Sequence, residues 1–265
     1  MKYLDICVNL LNGQFENDRD KVVEDACAAG VEFLVTATDL SSTREAIAYC
    51  RARGLRCTAG VHPHDAGTLP SDWLEELASL AQHAEVCAIG ETGLDFNRNY
   101  SPAAVQREVF AAQIELAQRL DKPLFVHDRD TNGEVLEMLL AAGPLPPTTV
   151  HCFTGSADEL RGFMAAGFFI GITGWIADQS RGGSLRELVA QIPGEQLLME
   201  TDAPFLRPHN APPASQSRLR RRNEPALLPY VCEAIAACRE ESAEELSAIC
   251  RLNAQRAFRL ETVLP

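Results

Sequence analysis

Five residues of this chain have side chains suited to holding a divalent ion, and each stands at or beside the end of a short apolar run: His62, Glu91, His127, His151 and Asp202. Imidazole nitrogen and carboxylate oxygen are donors for Zn, Mn and Fe, and carboxylate-rich sets with open positions also suit Mg. A bound divalent ion lowers the pKa of water and stabilises negative charge on a phosphoryl or carbonyl oxygen. The set therefore points to metal-assisted hydrolysis, with Asp202 as a ligand, a general base or both. His64 and His209 read as supporting or loop residues, and His83 as a solvated residue at a polar helix end. Asp5 is open between ligating and orienting a neighbour. No nucleophilic serine or cysteine is expected. Cys152 follows His151 directly, adjacent strand residues point to opposite faces, and a G-x-S-x-G elbow is absent.

These residues are far apart in sequence, so the fold must gather them. Eight β-rich runs recur: Tyr3–Asn9, Val31–Thr38, Leu55–Val61, Val86–Gly90, Pro123–His127, Thr148–Cys152, Phe168–Thr173 and Gln196–Thr201. Helical spacing fills most gaps, as in Trp73–Leu80, Glu108–Leu120 and Leu185–Ile192. Eight strand-helix units in 265 residues fit a (β/α)8 TIM barrel, in which all strand C-termini share one rim that carries the active site. A doubly wound open sheet is the alternative, but no G-x-G-x-x-G follows the first strand and no P-loop motif occurs. A single domain over 1–265 is expected. Pro204–Pro213 then forms a loop over the barrel mouth, and Pro225–Cys238 and Ala243–Phe258 close the barrel.

Composition sets outer limits. At 46% hydrophobic and 23% charged, the chain is neither disordered nor collagenous. No run of 18 apolar residues is present, and the start, MKYLDICVNLLNGQ, lacks a signal-peptide pattern. Nine cysteines with no C-x-x-C pair suggest reduced thiols and a cytoplasmic protein. A net charge of −13 argues against nucleic-acid binding over the whole surface and leaves room for a local basic groove.

The motifs in order closely resemble the TatD family of metal-dependent deoxyribonucleases, an amidohydrolase-like barrel group. The carrying segments are Asp5-Ile-Cys-Val-Asn9, Gly60-Val-His62-Pro-His64, Gly90-Glu91-Thr-Gly-Leu-Asp95, Val126-His127-Asp-Arg129, His151-Cys-Phe-Thr-Gly155, Gly171-Ile-Thr-Gly174 and Glu200-Thr-Asp202-Ala-Pro204. Arg222-Asn-Glu-Pro225 and Asn253-Ala-Gln-Arg256 add to them. The resemblance implies metal-dependent phosphodiester hydrolysis. It makes Glu91 a bridge between two metals and gives His127 and His151 to the second. Asp202 would serve the first metal and the attacking water, and His62 would line the substrate pocket. Catalysis is thus expected from Asp202, Glu91 and His62, and metal binding from Glu91, His127, His151 and Asp202. The ion is expected to be Mg, with Mn or Zn as alternatives. The chain departs from the family's opening Asp-x-His-x-His, because Cys7 and Asn9 replace the two histidines. One metal site is therefore expected to be firm, and the other absent, looser or filled only with substrate. The Asn form, with Leu94-Asp-Phe-Asn-Arg98-Asn99, resembles a subgroup that degrades single-stranded DNA and RNA from the 3′ end.

Arg218-Leu-Arg220-Arg221-Arg222 is the one dense basic run and follows Asp202 at the expected rim. Arginine forks suit phosphate oxygens, so Arg221, Arg222, Arg129 and His64 are the expected phosphate contacts, with Arg98 a further rim candidate. Among Phe96, Tyr100, Trp175 and Phe205, stacking on bases is favoured for Phe205 and Phe96. A monomer acting on single-stranded DNA or RNA is the leading reading. Two others compete: an amide or ester hydrolase of deaminase, deacylase or lactonase type on the same barrel, and a metal-depleted barrel that only binds nucleic acid.

Overall fold

The computed structural model describes residues 2–180, 182–213 and 222–260. Its strands are β1 (Tyr3–Val8), β2 (Val31–Val35), β3 (Arg56–Ala59), β4 (Val86–Asp95), β5 (Leu124–Arg129), β6 (Thr148–Val150), β7 (Phe169–Ile172) and β8 (Leu197–Met199). They form one parallel sheet in sequential order, β1 to β8. Just beyond β8, Ala203 bridges Val8, and the Asp202 amide donates to the Cys7 carbonyl at 3.1 Å, which draws the first and last strands together. The strands are apolar on both faces because helices cover the outside and side chains fill the inside.

The helices are α1 (Arg19–Ala28), α2 (Leu40–Arg53), α3 (Trp73–Leu80), α4 (Ala103–Leu120), α5 (Glu134–Ala141), α6 (Ala157–Ala165), α7 (Gly183–Val189), α8 (Leu228–Arg239) and α9 (Ala243–Ala257). Local chemistry starts several of them. Asp39 and Ser156 form capping boxes with Ser42 and Glu159, and Ser242 caps α9. Among the described residues, no helix is long and apolar enough to cross a membrane.

The inner layer of the barrel is Leu4, Ile6, Leu34, Ala88, Phe125 and Leu198, packed with Ala254, Ala257 and Phe258 from α9 and its end. Phe258 lies 5.8 Å from the Phe125 ring, and Phe125 in turn supports the His151 ring at 4.6 Å. The packed core thus fixes the floor on which the histidines stand.

Every expected run overlaps a strand; β5 continues two residues past His127 to Arg129, and a longer extension of β4 matters for function. The fourth run was expected to end at Gly90, yet β4 continues to Asp95, which pairs with Arg129 of β5. Glycines read as strand breakers by composition. Here Gly93 has φ +141°, and a Cβ on it would clash with the His127 carbonyl, so the glycine permits close approach of β4 to β5. The extension carries Asp95 over the mouth beside Glu91.

Candidate metal centre

Gathered at the rim where the strands point their C-terminal halves, Asn9, His62, Glu91, His127, His151 and Asp202 line one open cup of about 470 Å³. That volume lies within the range of small-ligand sites. His64, Asp95, Arg98, Arg129, Trp175 and Phe205 also line it.

Glu91 is the centre of the cup. Its Oε1 lies 2.8 Å from His151 Nε2, 3.0 Å from His127 Nδ1 and 3.3 Å from His62 Nε2. Burial would raise the Glu91 pKa, but His151, His62 and His127 overcome it and hold the carboxylate well below its usual range. Burial likewise opposes charge on His127 and His151. Asp95 and Glu91 nevertheless raise His127, and Glu91 and Glu200 raise His151 strongly.

His62 differs from the other two. Its Nδ1 accepts the backbone N–H of His64 at 3.1 Å, which leaves the ring proton on Nε2, facing Glu91. Burial, against the pull of Glu91, pushes its pKa down to about 4, so the ring is neutral at pH 7. His62, Glu91 and His127 offer donor atoms within 4.8 Å of one another. However, a neutral His62 in this tautomer presents a hydrogen-bond donor, not a lone pair. The set suited to a divalent ion is therefore Glu91, His127 Nδ1 and His151 Nε2: one buried carboxylate and two imidazoles converging on one oxygen. A cation there would answer the negative charge and take the place of ring protons. Both rings hold their protons above the usual histidine range, so ion affinity is expected to rise with pH as those protons leave. Calorimetric Mn titrations at several pH values would check the sign.

Asp202 sits in the left-handed region at φ +54°, an unusual conformation for a residue with a side chain. Its Oδ1 accepts Asn9 Nδ2 at 2.9 Å and faces the Cys7 thiol at 3.6 Å. The two residues that replace the family's paired histidines thus both hold Asp202. Burial pushes Asp202 up to about 7, opposed by His151 and reinforced by Glu91 and Glu200. Asp5 is fully buried. It accepts the Thr201 amide at 2.9 Å, the Cys7 amide at 3.2 Å and the Thr201 hydroxyl. Of its two open roles, this geometry is the orienting one, tying β1 to the segment that carries Asp202.

The expected phosphate contacts divide. Arg129 lines the cup with its guanidinium 5.6 Å from the Trp175 ring, and Arg98 lines it too. His64 lines it with Nε2 2.7 Å from Asp95 Oδ2. Arg221 lies outside the described residues, as do Arg218 and Arg220. Arg222 is a correction. Its guanidinium is buried, gripped by both Asp18 oxygens at 2.8 Å and by Glu224 at 2.6 Å, and it lies over Phe15. Its position as the last of a basic run suggested a free charge, but carboxylates distant in sequence answer it. Arg222→Ala is expected to lower stability by about 3 kcal/mol by stranding those carboxylates, with substrate affinity unchanged. Urea unfolding beside a binding assay would check this. Of the two favoured aromatics, Phe205 lines the cup, 45% exposed, whereas Phe96 packs against the core.

Sequence reasoning missed two acids. Asp95 Oδ2 lies 3.6 Å from His127 Nε2, and Glu200 Oε2 lies 3.4 Å from His151 Nδ1. The signal was available. Asp95 stands four residues from Glu91 on what proved to be one strand. Glu200 ends an apolar run two residues before Asp202.

A family model described as TatD related DNase matches residues 4–259. The chain is 46% identical over 260 residues to the 3′-5′ ssDNA/RNA exonuclease TatD of Erwinia billingiae (strain Eb661), covering 97% of this chain and 98% of that one. It is 45% identical over 258 residues to the protein of the same description from Salmonella typhimurium, covering 96% and 98%. Among solved structures it is similar to YJJV, a TatD homologue from Escherichia coli K12. The TM-score there is 0.88 at 27% identity, over 98% of this chain and 99% of that one. A hydrolase TatD family protein from Entamoeba histolytica matches with a TM-score of 0.87 at 26% identity, over 97% of both.

Proposed function

The chain belongs to the TatD-related DNase family, and from that premise we propose that it is a metal-dependent nuclease that shortens single-stranded DNA and RNA from the 3′ end. The observation that carries the reading is the convergence of His127, His151 and His62 on Glu91 inside a cup that also presents Arg98, Arg129, Trp175 and Phe205. Two arginines and two aromatics around the cup suit a chain of phosphates and bases better than a neutral amide or ester.

Glu91, His127 and His151 would hold the ion, with Asp202 beside them, and Mg would suit phosphoryl chemistry there. When bound, a divalent ion supplies Lewis-acid stabilisation of phosphate charge and a lowered water pKa. The protein's own groups do the rest. Neutral His62 donates its Nε2–H to a phosphate oxygen. Asp202, whose carboxyl burial raises to about 7 in the ion-free protein and whose charged form a neighbouring dication would favour, accepts the proton of the attacking water. Arg129, Arg98 and His64 hold phosphates, while Phe205 and Trp175 give bases a face to stack on without regard to sequence. The open mouth admits a strand end. The protein works as a monomer, one barrel domain over 1–265, in the cytoplasm, where its thiols stay reduced.

Arg129→Ala is expected to raise KM several-fold and flatten the salt dependence of binding by about one phosphate contact, with kcat little changed. Binding titrations at three salt concentrations would check this. The reading as a whole is tested by polarity. A 3′-terminal phosphorothioate should block degradation of a single strand, and the same group at the 5′ end should not. Equal sensitivity at both ends, or internal cutting first, would count against it.

A further inference from the structure

Glu200 has no role so far, yet it is fully buried one residue past β8. A buried carboxylate is costly unless donors face both its oxygens. Oε1 accepts the backbone N–H of Cys152, a residue held at φ +47°. Oε2 points at His151 Nδ1, 3.4 Å away, and among the described residues neither atom has another hydrogen-bond partner. On the neighbouring strand β7, a Cβ at Gly171 would lie 2.5 Å from Glu200 Oε1 and 3.1 Å from His151 Cα, so glycine there makes room for this carboxylate against this histidine. The other nitrogen of the same ring, Nε2, faces Glu91.

We propose that Glu200 is a positioning residue for the ion: it keeps the His151 proton on Nδ1, so that Nε2 presents its lone pair beside Glu91. A histidine that holds a metal commonly donates its second ring N–H to a carboxylate, which fixes the tautomer and ring orientation. Two donors, Cys152 N–H and His151 Nδ1–H, meet two acceptor oxygens. The role rests on the metal reading above.

Glu200→Gln separates this role from packing. The amide keeps the shape but has one acceptor and one donor end. Its oxygen satisfies the fixed Cys152 N–H. Its NH2 then faces Nδ1, which must become an acceptor, and the ring proton moves to Nε2, where the ion belongs. Calorimetric Mn titration is expected to show affinity about 10- to 100-fold weaker in Glu200→Gln than in wild type, with matching thermal melts in the absence of ion. A second measurement needs no variant. Long-range 1H–15N correlations of the Mg-loaded wild type should show His151 protonated on Nδ1, the ring being identified from a His151→Gln sample. Tight binding by wild type with equal affinity in Glu200→Gln would overturn the role of Glu200 alone, as would a His151 proton on Nε2. No Mn or Mg binding by wild type would overturn the metal reading itself.

Discussion

Glu91→Gln is expected to abolish turnover, lowering kcat by about 10³-fold or more, which is about 4 kcal/mol in the barrier. Three imidazole nitrogens lie within 3.3 Å of Glu91 Oε1, so no other side chain bears on as much of the cup. The amide preserves volume and removes the charge that answers both the histidines and the ion. Two consequences separate this loss from unfolding. Mn affinity should fall together with kcat, and the far-UV spectrum should stay that of wild type. Retention of more than a tenth of the activity would mean that the chemistry happens elsewhere.

Asp202→Asn should be nearly as severe, by about 10²- to 10⁴-fold in kcat, the range for a lost general base. Its signature differs, because Glu91, His127 and His151 would still hold an ion and KM should change little. The wild-type rate should rise with pH as Asp202 loses its proton, and that limb should lie below the value of about 7 that burial gives the ion-free protein, because a dication beside the carboxyl favours its charged form. The variant should lack that limb. Asn9 and Cys7 keep Asp202 in place, so the substitution also asks whether Asn9 Nδ2, which donates to Oδ1 in wild type, turns to a new partner. A crystal structure of the variant would show this directly.

Much of this was legible in the sequence because the apolar runs close on residues that carry chemistry. An apolar run closed by His or Glu has few explanations in a barrel, and Glu91, His127 and His151 close such runs, although β4 and β5 continue past Glu91 and His127. The barrel then assembles them without further information, since parallel strands share one rim. What stayed hidden depended on close approach and distant pairing. The extension of β4 past Gly90 was concealed because glycine weakens a strand in general, whereas here it lets two backbones approach. Asp95 was hidden with it. Arg222 looked like the end of a basic run, and only the fold brings Asp18 from the other end of the chain to meet it. The tautomer of His62 depends on one backbone N–H two residues away, and composition carries no trace of it.

A divalent ion at Glu91, His127 and His151 is what we propose makes this cup cut phosphodiester bonds. The most direct test is degradation of a 5′-labelled single-stranded oligonucleotide by protein stripped with EDTA, then resupplied with Mg. No products are expected after stripping and, after Mg is restored, a ladder that shortens from the 3′ end. Degradation that persists in EDTA, or none with Mg, Mn or Zn, would contradict it.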